Sequence, residues 1–194
     1  MGPDTVRRRV LIVSGGERIF EYFSGLLPQS GFFPIVHAAS AGEAKRLLMS
    51  AQFDVVIIDA PLPDEFGLQF ALSVSDMSMG IMLLVKSELL EKVTCKAEAS
   101  GILTLQKPNS RQALYGGVRL LAALSIRLQR METKNRSLQE KMDDIRAVNR
   151  AKWLLIEKLS MSETEAHHLI EKRAMDERLT RREIAENIIR SYDN

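Results

Sequence analysis

The sequence is poor in residues that would support several kinds of chemistry. It has a single cysteine, Cys95, which excludes an internal disulfide and fits a reducing cytoplasm. Its three histidines, His37, His167 and His168, lack ligand spacing with that cysteine, so no metal site is expected. Neither a nucleophile with a neighbouring base nor a cofactor-binding loop is evident, so we expect a binding protein without a cofactor and not an enzyme.

Long apolar runs and bulk positive charge are also missing. No run approaches the roughly 18 residues that span a membrane, and the first apolar run lacks a signal-peptide cleavage site, so a cytoplasmic protein is expected. Residues 111–194 hold 17 Lys and Arg against 13 Asp and Glu, but residues 141–194 are balanced at 11 against 11. A nucleic-acid site would therefore need cations gathered on one face.

The first 110 residues alternate apolar runs with helical patterns. Asp54–Asp59 (DVVIID) is a β-branched run typical of a central parallel strand. The other strands are predicted at Arg9–Ser14, Phe33–Ala38, Gly80–Val85 and Ile102–Leu105. The helices are predicted at Glu17–Leu27, Ser40–Ala51, Glu65–Asp76 and Glu88–Ser100. This order predicts a doubly wound α/β sheet of the flavodoxin type, with ligand sites at the carboxyl ends of the strands.

Residues 8–125 resemble the receiver domain of response regulators. Asp59 ends the third strand where receivers carry the phosphoacceptor aspartate, and Lys107 follows the fifth strand where they carry a phosphate-pairing lysine. Receivers place an acidic, magnesium-binding pair after the first strand, but this chain has Ser14 and Gly15 there. The receiver's switch hydroxyl is replaced by Val85 and its usual strand-five aromatic by Thr104.

The missing acidic pair bears on phosphorylation. Phosphoryl transfer relies on a cation that neutralises the charge on the phosphate oxygens, and magnesium prefers carboxylate ligands. Asp59 is therefore expected to be a poor phosphoacceptor with a vestigial or structural role, although Glu17 or Asp64 could supply a substitute ligand.

A long helix is predicted from about Asn109 to about Leu159, since Gly116-Gly117 is the only break in the pattern before Ser160. Its middle fits a heptad repeat, and the buried Asn that this repeat implies favours a two-stranded parallel coil and hence a homodimer. Arg127 and Glu132 could pair between chains, while packing of the helix on its own receiver is the alternative. The predicted seam consists of Leu121, Leu124, Leu128, Met131, Asn135, Leu138, Met142 and Ile145.

The last fifty residues predict a three-helix bundle. Ser162-x-x-Glu165 and Thr180-x-x-Glu183 are capping boxes that begin the second and third helices. The predicted core positions are Ala147, Ala151, Leu154, Leu155, Leu159, Ala166, Leu169, Ile170, Ala174, Ile184, Ala185, Ile188 and Ile189.

Residues 140–190 resemble the ANTAR domain, an antitermination module at the end of some bacterial response regulators. The matching pieces are Ala151-Lys152 with Leu155, Ser162-x-x-Glu165-Ala166, Ala174-Met175 and Arg182-Glu-Ile-Ala185. The resemblance implies binding of paired stem-loops in nascent leader RNA, so that a competing terminator cannot form.

Candidate RNA contacts follow from that resemblance and from charge. The first choices are Lys152, Arg173 and Arg182, and the weaker ones are Arg150, Lys172, Arg178 and Arg181. Each could instead be a solvated surface charge, as in a Glu177–Arg181 pair. Trp153 stands where the family usually has glycine. Its ring could stack on a base, or pack against the third bundle helix or a second chain.

These interpretations divide the chain into a receiver-like domain at 1–120, a coiled-coil linker at 121–143 and an ANTAR-like domain at 144–194. The leading hypothesis is an RNA-binding antiterminator controlled by a partner protein. The alternatives are a regulator phosphorylated by a histidine kinase, and a dimeric adaptor that binds only proteins.

Overall fold

A computed structural model describes residues 7–192 of the chain. The chain divides into two compact units, Met1–Glu132 and Thr133–Asn194, and the boundary lies within one long helix. It falls inside the segment predicted as a linker. No helix among the described residues combines the length and the apolar character that a membrane crossing requires.

The first unit is an α/β sandwich of five strands and the helices between them. Its strands are β1 (Arg8–Val13), β2 (Phe32–Ala38), β3 (Val55–Asp59), β4 (Gly80–Lys86) and β5 (Leu103–Lys107). Its helices are α1 (Glu17–Leu26), α2 (Ala41–Ser50), α3 (Leu68–Ser73), α4 (Ser87–Ala99) and the beginning of α5 (Arg111–Leu159). The strands lie in the order β2-β1-β3-β4-β5, and every neighbouring pair is parallel, which confirms the flavodoxin-like fold.

Apolar side chains cover both faces of this sheet. Strand residues alternate between faces, so Val56 and Ile58 of β3 join one buried cluster with α2, α3 and α4, while Val55 and Ile57 join the other with α1 and α5. This two-sided burial explains why the sequence of β3 is a continuous apolar run.

Helix α3 is shorter than predicted. It begins at Leu68, after Gly67 adopts a left-handed conformation with φ of 99°. Glu65, predicted to lie within the helix, precedes it, and its Oε1 accepts a hydrogen bond from the Phe70 backbone N–H at 2.6 Å. The carboxylate thus caps the helix from outside.

The start of α5 packs against its own sheet. Leu114, Val118, Leu121 and Ala122 are buried beside β4 and β5. A Cβ added to Gly80 would lie 2.5 Å from Leu121 Cβ, so glycine at the start of β4 permits the close approach of the helix. The assignment of Leu121 to a dimer seam is therefore wrong, because its side chain is only 3% exposed within its own unit.

The second unit contains the rest of α5 with α6 (Glu163–Glu177) and α7 (Arg181–Tyr192). Both predicted capping boxes form, with reciprocal hydrogen bonds between Ser162 and Glu165 and between Thr180 and Glu183. Its buried core consists of Ala151, Leu155, Ala166, Ile170, Ile184, Ala185 and Ile188.

Most predicted core positions of the bundle are confirmed, with Ala147, Leu169, Ala174 and Ile189 partly buried against this cluster. Leu159 is an exception. It is the last residue of α5 and is 50% exposed, because the chain turns away at Ser160, where φ is 55°.

Candidate receiver site and nucleic-acid interface

Asp59 and Lys107 meet at the carboxyl edge of the sheet. Lys107 Nζ donates to Asp59 Oδ1 at 2.6 Å and to the Ala60 carbonyl oxygen at 2.6 Å. The two residues end β3 and β5, and parallel strands bring those ends to one edge. Both side chains are partly buried, at 17% and 27% exposure. The aspartate and lysine of a receiver are thus in contact, as the sequence resemblance implies.

Ser14 and Gly15 stand where receivers carry the acidic pair, and Ser14 makes contacts of a different kind. Ser14 is fully buried, and its Oγ lies 2.8 Å from the Gly16 carbonyl oxygen and 3.0 Å from His37 Nε2. The His37 ring stacks on Phe20 of α1, with 5.2 Å between ring centroids. This partly buried serine–histidine contact links the end of β1 to β2 and provides no carboxylate oxygen for a hard cation.

Asp64 is engaged elsewhere. Its Oδ1 and Oδ2 accept hydrogen bonds from the backbone N–H groups of Ala41 and Gly42, at 3.0 and 2.9 Å. These N–H groups begin α2, so the carboxylate binds the positive end of that helix. The hydrogen bonds from Gly42 and then Ala41 lower the pKa of Asp64 below its ordinary value. Asp64 therefore serves as a cap, and the substitute-ligand hypothesis loses its support from this residue.

The other suggested ligand, Glu17, is exposed in the first turn of α1. Among residues 7–192, no group of three histidine, cysteine or acidic side chains is arranged to hold a metal ion.

The switch positions also differ from a receiver. Val85 is fully buried and apolar, so it provides no hydroxyl beside Asp59. Thr104 Oγ1 lies 3.3 Å from Thr94 Oγ1 of α4, and the two hydroxyls form a hydrogen bond. The pair links β5 to α4 where receivers carry an aromatic side chain.

In the second unit, a groove of about 400 Å³ is lined by basic side chains from different helices. Lys152 comes from α5, His167 from α6, and Arg181 and Arg182 from the first turn of α7. The remaining wall is formed by Asp144, Ile145, Val148, Asn149 and Thr180. Three of the predicted RNA contacts are thus brought together by the folding of the bundle.

Each of these three cations already has an acidic partner. Lys152 Nζ lies 3.0 Å from Glu163 Oε1, and Arg181 Nη1 lies 3.4 Å from Glu171 Oε1. Arg182 contacts two carboxylates, Glu186 at 2.8 Å and Asp144 at 3.1 Å. The hydrogen bond to Glu186, followed by the one to Asp144, raises the pKa of Arg182 above its ordinary value. A polyanion entering the groove would exchange these intramolecular pairs for phosphate contacts.

The other predicted cations lie outside the groove. Arg173 pairs with Glu177 at 2.9 Å along α6, and Arg181 pairs with Glu171 in place of the suggested Glu177. Arg178 ends α6 in a left-handed conformation with φ of 54°. Arg150 and Lys172 are exposed and do not line the groove.

Trp153 is 73% exposed, so packing of its ring against α7 of the same chain is wrong. It borders a second depression of about 340 Å³, together with Asn149, Lys152, Ile156 and Glu163. Asn149 and Lys152 line both depressions, which are therefore adjacent.

The predicted seam after Leu121 is exposed within each unit. In the first unit, Leu124, Leu128 and Met131 are 43%, 42% and 54% exposed. In the second, Leu138, Met142 and Ile145 are 49%, 49% and 60% exposed, and Asn135 is exposed as well.

Within the first unit, the beginning of α5 makes polar contacts that the sequence did not predict. Ser78 Oγ donates to Glu132 Oε2 at 2.6 Å, and Gln129 Nε2 donates to Asp54 Oδ1 at 3.3 Å. Glu132, which the heptad pattern offers as a possible partner for Arg127 of a second chain, thus contacts Ser78 of its own unit. These are single polar residues far apart in sequence, and no local pattern identifies them.

Comparisons with known proteins agree with these two units. The ANTAR domain family matches residues 136–189. The transcriptional regulatory protein PdtaR of Mycobacterium tuberculosis is 28% identical over 194 residues, covering 97% of this chain and 95% of that protein.

The first unit resembles solved receiver structures. The signal receiver domain of an HD domain-containing protein from Pseudomonas fluorescens has a TM-score of 0.59 and 27% identity, covering 67% of this chain and 97% of that one. The chemotaxis response regulator CheY4 of Vibrio cholerae has a TM-score of 0.53 and 26% identity, covering 60% of this chain and 99% of that one. With a receiver fold in its first unit and an ANTAR domain match in its second, the chain has the domain arrangement of an ANTAR response regulator.

Proposed function

We propose that this protein acts in the cytoplasm as a transcription antiterminator without enzymatic activity, and that its second unit binds stem-loops in nascent leader mRNA. The observation that carries the proposal is the convergence of Lys152, Arg181 and Arg182 on one groove. RNA bound there would be prevented from forming a competing terminator hairpin.

The chemistry of the groove suits RNA. Arginine and lysine bind phosphate oxygens, and hairpin loops expose base edges that polar side chains can contact. Asn149 and Thr180 supply such polar groups beside the cations. Because the cations come from both α5 and α7, the bundle must be folded for them to act together.

A gel-shift assay and a transcription read-through assay test this proposal. Leader RNA with two tandem hairpins should bind the protein and show increased read-through. Lys152→Ala combined with Arg182→Ala should abolish both effects, whereas Lys158→Ala, which removes an exposed lysine at the end of α5 outside the groove, should leave them intact. Leader hairpins that do not bind would instead favour the protein-only adaptor.

We propose further that the protein is a homodimer through a coiled coil formed by residues 124–145 of α5. Seven seam residues at heptad positions remain exposed within their own units, and six of them are large apolar side chains. Burial of such side chains against a second copy would remove apolar surface from water. Two bundles would then be available for two hairpins.

Control by a partner protein is proposed in preference to control by phosphate. The support is the partly buried Ser14–His37 contact and the capping role of Asp64, which leave Asp59 without the carboxylates that would hold magnesium. A regulatory sensor protein that sequesters or releases the chain would not need this chemistry. Incubation with acetyl phosphate and magnesium should leave the protein unlabelled, while labelling lost in Asp59→Asn would contradict the proposal.

The Asp59–Lys107 contact favours one second candidate, a regulator phosphorylated by a histidine kinase. The lysine is placed where it could pair with a phosphoryl group on Asp59. In that case phosphorylated protein should bind leader RNA or dimerise more tightly than the unmodified protein, and Lys107→Ala should remove the difference.

A further inference from the structure

We propose that the depression around Trp153 is a stacking pocket for one unpaired RNA base, adjacent to the phosphate-binding groove. The inference rests on the proposed function and names which part of the RNA the second depression would hold. The pocket is lined by Asn149, Lys152, Trp153, Ile156 and Glu163.

The side chains around this pocket fit a planar heteroaromatic ligand. The Trp153 ring is 73% exposed in the free chain, although a large aromatic side chain ordinarily buries much of its surface. Ile156 is partly buried against the bundle core and provides an apolar wall. The Asn149 amide offers both a donor and an acceptor to the edge of a base.

The position of the pocket relates it to the groove. Lys152 lines both depressions, and its side chain is only 16% exposed while its Nζ contacts Glu163 Oε1. A loop nucleotide could therefore place its phosphate toward Arg181 and Arg182 and its base against Trp153. Single-stranded RNA is commonly bound in this way, with cations along the backbone and aromatic rings against the bases.

The position of Trp153 on α5 excludes packing of its ring in the core of its own bundle. Ala151 and Leu155 point into the core, whereas Trp153 lies about 160–200° around the helix from them at 100° per residue. The bundle cannot cover this side of α5. The other occupant that the geometry allows is a second copy of the chain, since the exposed seam of α5 ends nearby at Ile145.

Trp153 is the only tryptophan in the sequence, so its fluorescence reports on this pocket alone. The probe is an RNA hairpin selected for binding to the full chain from a pool with a constant stem and a randomised loop. Titration with this hairpin should quench the tryptophan emission, and the same hairpin with one loop nucleotide made abasic should bind more weakly and quench less.

Substitution at the pocket gives the second test. Trp153→Ala should weaken binding of the selected hairpin by about 5-fold to 150-fold, since stacking on one base is worth about 1–3 kcal/mol. Trp153→Phe should recover most of the loss, because it keeps a ring. Trp153→Ala should weaken binding of the abasic hairpin much less than binding of the intact hairpin, which identifies the lost interaction as the one with that base.

The outcomes separate this inference from the proposed function. If no hairpin is enriched, the proposed function fails and the inference fails with it. If hairpins bind but neither quench the emission nor respond to Trp153→Ala, the groove binds RNA and the base pocket is wrong. A Trp153→Ala variant that keeps its RNA affinity but becomes monomeric in sedimentation would show that a second copy occupies this surface.

Discussion

The ring of Pro63 occupies the space beside Gly15. A Cβ at position 15 would lie 3.0 Å from Pro63 Cγ and 3.2 Å from Pro63 Cδ, closer than ordinary contacts allow. An acidic residue at this position would require the Pro63 ring to move by a few tenths of an ångström. Restoring one carboxylate at position 15 would also leave Ser14 at the other position of the acidic pair, so it would not by itself restore a magnesium site.

Magnesium should therefore have little effect on the first unit. Adding magnesium chloride should not raise the thermal unfolding temperature above that in sodium chloride of matched ionic strength, since ligand binding to the folded state alone would raise it. Differential scanning calorimetry measures this. A rise that disappears in Asp59→Asn would show that Asp59 still helps to bind the cation.

Asp64 should stabilise the first unit only when it is ionised. Its pKa is lowered in the folded state, so its contribution is present at pH above its unfolded value and is lost as the pH falls through the lower folded value. Asp64→Asn should lower the urea midpoint of the first unit at pH 7, and the difference should shrink in acid. Asp76→Asn, at an exposed position before β4, is the matched control. An unchanged midpoint at pH 7 would contradict the cap.

The groove predicts that acidic residues restrain RNA binding. Asp144→Asn removes one of the two carboxylates that contact Arg182, so it should tighten binding of leader hairpins and steepen its salt dependence. Asp176→Asn, an exposed substitution on α6 outside the groove, has the same effect on net charge and should change affinity less. Filter binding at several salt concentrations gives both quantities. Equal effects of the two substitutions would indicate that only net charge matters.

Two leucines of the predicted seam should respond differently to substitution. Leu138→Glu places a charge in the proposed dimer interface and should yield a folded monomer in sedimentation experiments. Leu121→Ala should leave dimerisation intact but destabilise the first unit by about 2–5 kcal/mol, as expected for a buried leucine. A monomeric Leu121→Ala with unchanged stability would reverse the assignment made from its burial.

The caps of the second unit should matter to its stability. Ser162→Ala removes the hydroxyl that accepts from the Glu165 N–H and should cost about 1 kcal/mol. The hydrogen bonds from Ser162 lower the pKa of Glu165, so the contribution of that carboxylate is retained above its unfolded pKa and lost as the pH falls through the folded value. Thermal unfolding followed by circular dichroism at pH 7 and in acid measures both. Equal unfolding temperatures of Ser162→Ala and the parent chain at pH 7 would show that this capping box does not stabilise the second unit.

The order and type of the helices and strands, and both resemblances, could be predicted from the sequence. Hydrophobic periodicity, helix capping and apolar strand runs are local properties of the chain. Leu121 shows why the local pattern does not determine which surface this part of α5 packs against. Its 3–4 spacing suits a coiled coil and a helix lying on a sheet equally well, and only the glycine at position 80, forty-one residues earlier, provides room for the second arrangement.

Asp64 and Trp153 show the same limit in the candidate sites. Asp64 caps α2 through hydrogen bonds to groups 22 and 23 residues away, and the residues next to Asp64 in the sequence do not indicate this contact. The ANTAR pattern identified Lys152 and Arg182 as candidates, and the fold adds that they share a groove with Arg181 while Arg173 does not. The exposure of Trp153 depends on where α6 and α7 pack, which its own spacing does not determine.

The pairing of Arg182 with Asp144 and Glu186 also bears on how the protein would behave among abundant cellular RNA. Self-neutralised cations exert little long-range attraction, so encounter with a random transcript should be slow compared with that of a strongly basic protein. Ribosomal and transfer RNA would compete poorly for such a surface. Discrimination would then be expressed mainly in the lifetime of the complex, because only an RNA that displaces both carboxylates at once would remain bound.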